Sequence, residues 1–302
     1  MAIGHGWQSP ELAGTGGSSG SALGALRRWA GRRVPLDQRV DLRHRLGHYL
    51  PWEEGIDLTP PIAGPDEVIG PPDYVGIGGT RAGAPGWHRR VLDHPDVSDR
   101  RDLPPARHYL SHFATDRFGP EHVLEYHRWF PRRPETITGE WTPSYSSLPW
   151  VPALLARAAP DARLLMMVRN PVERFRLAFA GGAEYRVSQA GTATAEAVER
   201  GFYGAQLGRV LEHTRRGRIL VLQYEQCRAD PDGQLAATYR FLGLDDAYRP
   251  DRSRSRVGSP AAPGLDAEVE SRLVDLYRPD VAALAALVPT LDLSLWPQFS
   301  AM

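Results

Sequence analysis

Three short apolar runs, separated by stretches with helical patterns, constrain this chain more than any other feature. They cover residues 74–77, 163–168 and 218–223, and each is typical of a buried strand. Strands that alternate with helices predict a parallel sheet covered by helices on both faces. The sequence therefore predicts an α/β fold, a three-layer sandwich around a central parallel sheet.

The predicted helices lie between and after these strands. Pro152 and Pro171 favour helix starts, because a proline in the first turn sacrifices no helical hydrogen bond. Residues 103–114 give no assignment, since Pro104 and Pro105 interrupt them. The helices are expected over 86–92, 122–130, 152–159, 172–180, 194–214, 233–242 and 266–288.

The first 72 residues differ in character from the rest. Residues 1–24 are rich in glycine and serine, which is typical of a flexible tail, and residues 25–72 combine an arginine-rich stretch with a proline-rich connector. The arginines fit a solvated helix face, with a partner-binding patch as the alternative. We expect an N-terminal extension over 1–72 and one folded domain over 73–302.

Composition excludes several classes of function. Lys+Arg and Asp+Glu both number 36, so the net charge of zero argues against bulk capture of nucleic acid or an anionic membrane. We find neither a secretory signal nor a run near the roughly 18 apolar residues of a membrane span. The single cysteine, Cys227, excludes intramolecular disulfides and cysteine-rich zinc sites. We therefore expect a cytoplasmic protein without a metal, a nucleic-acid partner or a membrane span.

The cations are all arginine, because the chain contains no lysine. A Schiff-base lysine and a lysine acid are thereby excluded. Any task usually given to an ammonium must be done by a planar, permanently charged guanidinium.

The loop after the first strand is the first candidate site. It contains Gly78, Gly79, Arg81 and Gly83 and leads into a predicted helix. Such a turn can direct backbone N–H groups and the helix N-terminus at an anion, which predicts a phosphate cradle. The alternative is an ordinary strand-to-helix turn. A Walker A loop is excluded, because the Gly-Lys-Ser/Thr ending is absent.

The end of the second strand is the other candidate site. Arg169 stands at its carboxyl end, and Pro171 starts the next helix. Ligands of open α/β sheets bind beyond the carboxyl ends of strands, and a guanidinium suits bidentate contact with phosphate or sulfate. The alternative is that Arg169 and Arg174 pair with nearby carboxylates such as Glu173.

With further motifs in the same order, the chain resembles PAPS-dependent sulfotransferases of the bacterial and heparan-type group, whose donor is 3′-phosphoadenosine 5′-phosphosulfate. The resemblance covers about residues 73–297 and implies the P-loop NTPase-like sulfotransferase fold. It rests on residues 81–85, 94–97, 126–131, 139–145, 169–174, 222–225, 229–231, 241–244 and 291–296.

The resemblance also implies roles for individual residues. Those expected to bind PAPS are Arg81, Ala82, Gly83 and Ala84 at the phosphosulfate end, Arg169 and Arg174 at the 3′-phosphate, and Gly258 in a late nucleotide loop. Arg81 would contact the leaving group. His108 would be the base that takes the acceptor's proton, with His88, His112 and Glu140 as alternatives.

Four positions depart from the family pattern. The two loop hydroxyl residues are replaced by Ala84 and Pro85, a serine that binds the 3′-phosphate by Leu177, and the carboxylate base by Ala106. Each missing donor to a charged group is worth roughly 1.5–3 kcal/mol.

The expected function is transfer of a sulfuryl group from PAPS to a hydroxyl or amine of a small molecule in bacterial specialised metabolism. The alternative is a repurposed member of the fold that no longer uses PAPS, either an enzyme of natural-product biosynthesis or a non-catalytic binding protein. Another nucleoside phosphate-binding protein, such as a kinase, is disfavoured by the absence of lysine.

Overall fold

The computed structural model of the chain describes residues 60–98, 109–179, 190–250 and 264–301. Its main sheet is parallel and has the strand order β4-β2-β5-β6. A separate antiparallel pair joins β1 to β3. The strands are β1 (Val68–Ile69), β2 (Tyr74–Gly76), β3 (Pro131–Arg132), β4 (Gly139–Trp141), β5 (Arg163–Val168) and β6 (Ile219–Gln223).

Helices connect and cover these strands. They are α1 (Ala84–Leu92), α2 (Pro120–His127), α3 (Val151–Ala158), α4 (Pro171–Phe179), α5 (Ala190–Glu199), α6 (Tyr203–Leu211), α7 (Tyr224–Ala229), α8 (Pro231–Leu242) and α9 (Ala267–Leu287). Short 3₁₀ helices include Tyr109–His112 before α2 and Leu293–Leu295 after α9.

The sheet separates two hydrophobic clusters, as the alternation of side chains along β5 requires. Leu164, Met166 and Val168 enter a cluster formed with α2, α3, α6 and α9. Leu165 and Met167 enter a second cluster formed with α1 and α8. The predicted α/β sandwich with a parallel sheet is thus confirmed.

The expected single helix over 194–214 is wrong, because the chain forms α5 and α6 instead. Gly201 lies at the break, where a Cβ would stand 2.6 Å from the ring of Tyr277. The Asp280 carboxylate then accepts the N–H groups of Gly204 and Ala205, both at 2.8 Å. This cap from α9 satisfies donors at the start of α6 and so favours a new helix there.

The N-terminal extension is described only in part. Residues 1–59 lie outside the described ranges, and the proposed extension over 1–72 stays a prediction. Within the described residues, no helix combines the length and apolarity needed to cross a bilayer. The same residues contain no cluster of three or more His, Cys, Asp or Glu side chains that could hold a metal ion.

Candidate active site

The loop between β2 and α1 has an unusual backbone. Gly79, Arg81 and Gly83 have φ values of 99°, 63° and 90°, all in the left-handed region. The N–H groups of Thr80, Arg81 and Gly83 donate no backbone hydrogen bond within the described part of the chain. Successive N–H groups in such a turn form an anion-binding concavity. The loop therefore offers main-chain donors that are not used by the backbone of the described residues.

Arg81 is the strained member of this loop. Among the described residues it is the only non-glycine residue with a positive φ, and its side chain is exposed. A left-handed conformation costs a residue with a Cβ about 1 kcal/mol or more. Glycine would avoid this cost, so a strained arginine at a strand end points to a functional constraint.

Arg169 follows the last residue of β5 and is 9% exposed. Its guanidinium carbon lies 4.3 Å from the ring centroid of Tyr224, the first residue after β6. The same ring packs on Gly83, where a Cβ would stand 2.7 Å from Cδ2 of Tyr224. Tyr224 therefore joins the β2–α1 loop to Arg169. We call this edge of the sheet, where β2, β5 and β6 have their carboxyl ends, the working edge.

A cleft of about 530 Å³ opens beside Arg169. It carries two arginines and two glutamates, and one of these, Glu173, is paired with Arg176 at 2.7 Å. The C-terminal segment 291–299 contributes Leu295, Pro297 and Gln298 to its lining. The lining residues are Arg169, Asn170, Glu173, Tyr224, Glu225, Arg228, Ala229, Leu295, Pro297 and Gln298.

The junction between β5 and α4 is organised by Asn170, which is 2% exposed. Its Oδ1 accepts the N–H groups of Val172 at 3.0 Å and Glu173 at 3.3 Å, and so caps α4. Its Nδ2 donates to Oε1 of Gln298 at 2.8 Å. Its own N–H donates to Oε1 of Glu225 at 3.0 Å. These bonds fix the backbone immediately after Arg169.

Arg174 lies apart from this cleft. It is 1% exposed, and its guanidinium donates to the carbonyl of Ala197 and contacts Tyr203 and Tyr277. Burial lowers the pKa of Arg174, while the two tyrosines raise it. The structure thus places the guanidinium of Arg174 between α5, α6 and α9. This position does not support the prediction that Arg174 binds the 3′-phosphate, which stays a prediction.

Three other predicted or departing positions, Ala82, Ala84 and Leu177, are buried, whereas Pro85 is exposed. Ala82 and Ala84 are 0% exposed and pack in the cluster on the α1 side of the sheet, so only their backbones can serve the loop. Pro85 lies in the first turn of α1, where its missing N–H costs no helical bond. Leu177 is 4% exposed. His108, Ala106 and Gly258 lie outside the described residues.

The alternative bases occupy different surroundings. His88 is half-buried on α1, with Nε2 3.0 Å from the hydroxyl of Tyr74. Glu140 is 5% exposed and accepts hydroxyl bonds from Tyr126 at 2.6 Å and Thr142 at 2.7 Å. Burial and the charge of Glu140 raise the pKa of Tyr145 well above its ordinary value. Glu140 therefore anchors a buried hydroxyl network, whereas His88 is the more accessible of these two groups.

The sequence model of a protein family described as "Sulfotransferase family" matches residues 79–248, which is more than half of the chain. The chain belongs to the sulfotransferase family. The match begins in the glycine loop and includes Arg169, Tyr224 and Glu225, whereas β2 and the C-terminal segment lie outside it. The expected family and its transferase class are thereby confirmed.

Individual relatives agree with this assignment. The chain is 28% identical over 188 residues to heparan sulfate glucosamine 3-O-sulfotransferase 3A1 of Mus musculus, covering 57% of this chain and 46% of the relative. It is 31% identical over 170 residues to heparan sulfate glucosamine 3-O-sulfotransferase 6 of Homo sapiens, covering 50% and 46%. The chain thus spans about half the length of these curated relatives.

A solved structure supports the fold. A sulfotransferase from Alicyclobacillus acidocaldarius superposes with a TM-score of 0.59 at 22% identity, covering 75% of this chain and 98% of that chain. The likeness shows that the sheet and its helices follow the sulfotransferase fold.

The sequence analysis selected Arg81 and Arg169 but did not assign Tyr224, Glu225 or Gln298 to the site. Tyr224 and Glu225 come directly after the third strand, so the rule that pointed to Arg169 applies to them as well. Gln298 carried no such signal, since it lines the cleft beside Asn170, which lies 128 positions away in sequence.

Proposed function

We propose that this sulfotransferase transfers a sulfuryl group from PAPS to a hydroxyl or amine of a small molecule. The observation that carries the proposal is the contact of Tyr224 with both Gly83 and Arg169, which unites a loop of main-chain donors with a stacked guanidinium. A nucleotide with a 3′-phosphate and a 5′-phosphosulfate needs two separated anion sites, and the glycine loop and Arg169 are the two candidates on this edge.

The residues present fit such a donor in the following way. Arg169, at the wall of the 530 Å³ cleft, would hold the 3′-phosphate. The N–H groups of Thr80, Arg81 and Gly83 would hold the phosphosulfate end. Glycine at 79 and 83 lets the loop pack closely on the end of the sheet, since a Cβ at position 79 would clash with Met167 and one at position 83 with Tyr224.

When bound, PAPS supplies the activated sulfuryl group and a phosphate as leaving group. The chain's own residues then position the reactants and offset negative charge, as in phosphoryl transfer. The exposed guanidinium of Arg81 would stabilise charge on the leaving phosphate but cannot give it a proton. The acceptor's proton would pass to a base, for which His108 remains the candidate from sequence and His88 the half-buried alternative.

The proposed acceptor is a small molecule. The relatives are named for heparan sulfate glucosamine, a polyanionic acceptor. A polyanion favours a protein with a strong positive field, and this chain has no net charge. Specialised metabolism in a bacterium is the setting that we propose, and the cytoplasm is the proposed location.

Calorimetric titration with adenosine 3′,5′-bisphosphate (PAP), the product nucleotide, tests the proposal. We expect saturable binding that is tighter than that of adenosine 5′-phosphate (AMP), because only PAP reaches Arg169. Arg215→Ala is the matched control, since Arg215 is exposed and precedes β6 at the opposite edge of the sheet. Its affinity for PAP should equal that of the wild type. No measurable binding at millimolar PAP would overturn the proposal.

The second candidate is a member of the family that no longer uses PAPS. The loss of side-chain donors at Ala84, Pro85 and Leu177 favours it. A variant with Ala84→Thr, Pro85→Thr, Leu177→Ser and Ala106→Glu separates the two. If only this variant binds PAP, the second candidate is correct.

A further inference from the structure

Glu225 is a carboxylate inside a cleft that we assign to an anion. It is half-buried, and its two oxygens accept different N–H donors. Oε1 accepts the backbone N–H of Asn170 at 3.0 Å, and Oε2 accepts the indole N–H of Trp296 at 2.9 Å. A negative charge here opposes a bound phosphate by Coulomb repulsion, so its presence requires a reason.

Glu225 acts on the surroundings of Arg169. The bond to Asn170 fixes the peptide that directly follows Arg169, and the ring of the preceding residue, Tyr224, supports the guanidinium. Burial raises the pKa of Glu225, while the two N–H donors and the charge of Arg169 lower it. Adjacent residues of α7 thus hold both the backbone and the head group of the arginine.

The second oxygen ties in the C-terminal segment. Trp296 is 0% exposed, and Gln298, two residues later, accepts from Asn170 and donates to Glu270 at 2.9 Å. Gln223 and the backbone of Asp292 exchange two further bonds at 2.9 Å. The segment 291–299 is therefore attached at three points near Arg169. Glu225 is the attachment point that bonds both to Asn170, next to Arg169, and to Trp296 of the segment.

We propose that Glu225 is a positioning residue that orients Arg169 and so sets the preference for nucleotides that carry a 3′-phosphate. The inference rests on the proposed function. Two possible roles of Glu225 predict opposite changes in phosphate affinity when its charge is removed. A carboxylate that only adds negative charge weakens phosphate binding, so removing the charge raises affinity. A carboxylate that positions Arg169 strengthens binding, so removing the charge lowers affinity.

The test is titration of PAP and AMP at pH 7.5 into the wild type and Glu225→Gln. We expect a loss of about tenfold in affinity for PAP and an unchanged affinity for AMP, because one misaligned charged hydrogen bond costs about that much. In Arg169→Ala the preference for PAP over AMP should vanish. Adding Glu225→Gln to Arg169→Ala should then cause no further loss, because the two residues act as a unit.

Glu173→Gln is the control for charge. Glu173 lines the same cleft and is paired with Arg176, but it does not accept the N–H of Asn170. Its replacement should leave the affinity for PAP equal or higher. Retained AMP binding reports that each variant is folded. If Glu225→Gln does not fold, Trp296→Phe removes one donor while keeping an aromatic ring, and we expect a smaller loss in the preference for PAP.

The outcomes distinguish the two proposals. Unchanged or tighter PAP binding by Glu225→Gln, with wild-type binding intact, overturns the positioning role alone. An equal loss for PAP and AMP also overturns it, because that pattern indicates general damage. Absence of PAP binding by the wild type overturns the proposed function and the positioning role together.

Discussion

The two candidate anion sites of the working edge are built in different ways. The β2–α1 loop uses main-chain groups, with left-handed φ values at Gly79, Arg81 and Gly83. The β5–α4 junction uses side chains, with Asn170, Glu225 and Gln298 bonded around Arg169. A backbone site keeps its donors when side chains change, whereas a networked site depends on each partner. This difference explains why the loop can lose two hydroxyl residues at 84 and 85 and still present N–H groups.

The largest expected effect follows from adding one methyl group to the loop. Gly83→Ala places a Cβ at φ 90° and 2.7 Å from the Tyr224 ring. Strain and overpacking should lower the free energy of unfolding by about 2–4 kcal/mol and weaken PAP binding. Urea denaturation measures the first effect and calorimetry the second.

Gly208→Ala is the matched control for this change. Gly208 lies inside α6, and a Cβ added there would meet no other atom within 4 Å. Alanine should stabilise the helix by about 0.5–1 kcal/mol. Equal effects at positions 83 and 208 would contradict a loop whose backbone is held by close packing.

The next effect concerns the networked site. Arg169→Ala should lower the affinity for PAP by about tenfold to a hundredfold, because charged hydrogen bonds contribute about 1.5–3 kcal/mol. Arg215→Ala should leave it unchanged. A loss of less than about twofold in Arg169→Ala, measured by calorimetry, would place the 3′-phosphate elsewhere.

Arg81→Gly should produce opposite changes in stability and binding. Relief of the left-handed strain should raise the free energy of unfolding by about 1 kcal/mol. Loss of the guanidinium should weaken PAP binding about threefold to tenfold. A variant that is less stable and binds PAP as tightly as the wild type would show that Arg81 has only a structural role.

The smallest expected effect is a pH dependence confined to the networked site. Burial raises the pKa of Glu225, so the folded protein binds more protons than the unfolded chain between the ordinary and the raised value. The stability contributed by this group therefore falls as pH rises through that window, by no more than about 1.4 kcal/mol per pH unit.

Urea denaturation from pH 4 to 7.5 checks this dependence, with the pH range chosen around the ordinary pKa of about 4.3. The free energy of unfolding of the wild type, minus that of Glu225→Gln, should decrease as pH rises. The corresponding difference for Arg81→Gly should stay constant. A difference for Glu225→Gln that increases with pH would contradict the raised pKa.

The sequence predicted the interior of the fold better than its working edge. Strands β5 and β6 are continuous apolar runs, so their burial and parallel arrangement follow from local pattern. Strand β4 escaped prediction, because Glu140 interrupts its apolar pattern and is buried with the hydroxyls of Tyr126 and Thr142 as partners. The break between α5 and α6 depends on Tyr277 and Asp280, which lie more than 70 residues later.

The candidate site shows the same limit. A strand end followed by proline was enough to place Arg169 at the edge of the sheet. The spacing of Arg174 gave no indication that its guanidinium lies among helices. Asn170 and Glu225 each have one partner in the C-terminal segment, Gln298 and Trp296, and contacts over such distances leave no local periodicity to detect.

The late position of that segment has a consequence for biosynthesis. During translation, Arg169 emerges well over a hundred residues before Gln298, so a nascent chain holds the arginine long before the wall beside it exists. Nucleotide capture by the 3′-phosphate should therefore begin only after residues 292–298 have left the ribosome. Binding of the nucleotide would thus indicate that the sheet and the C-terminal segment have both folded.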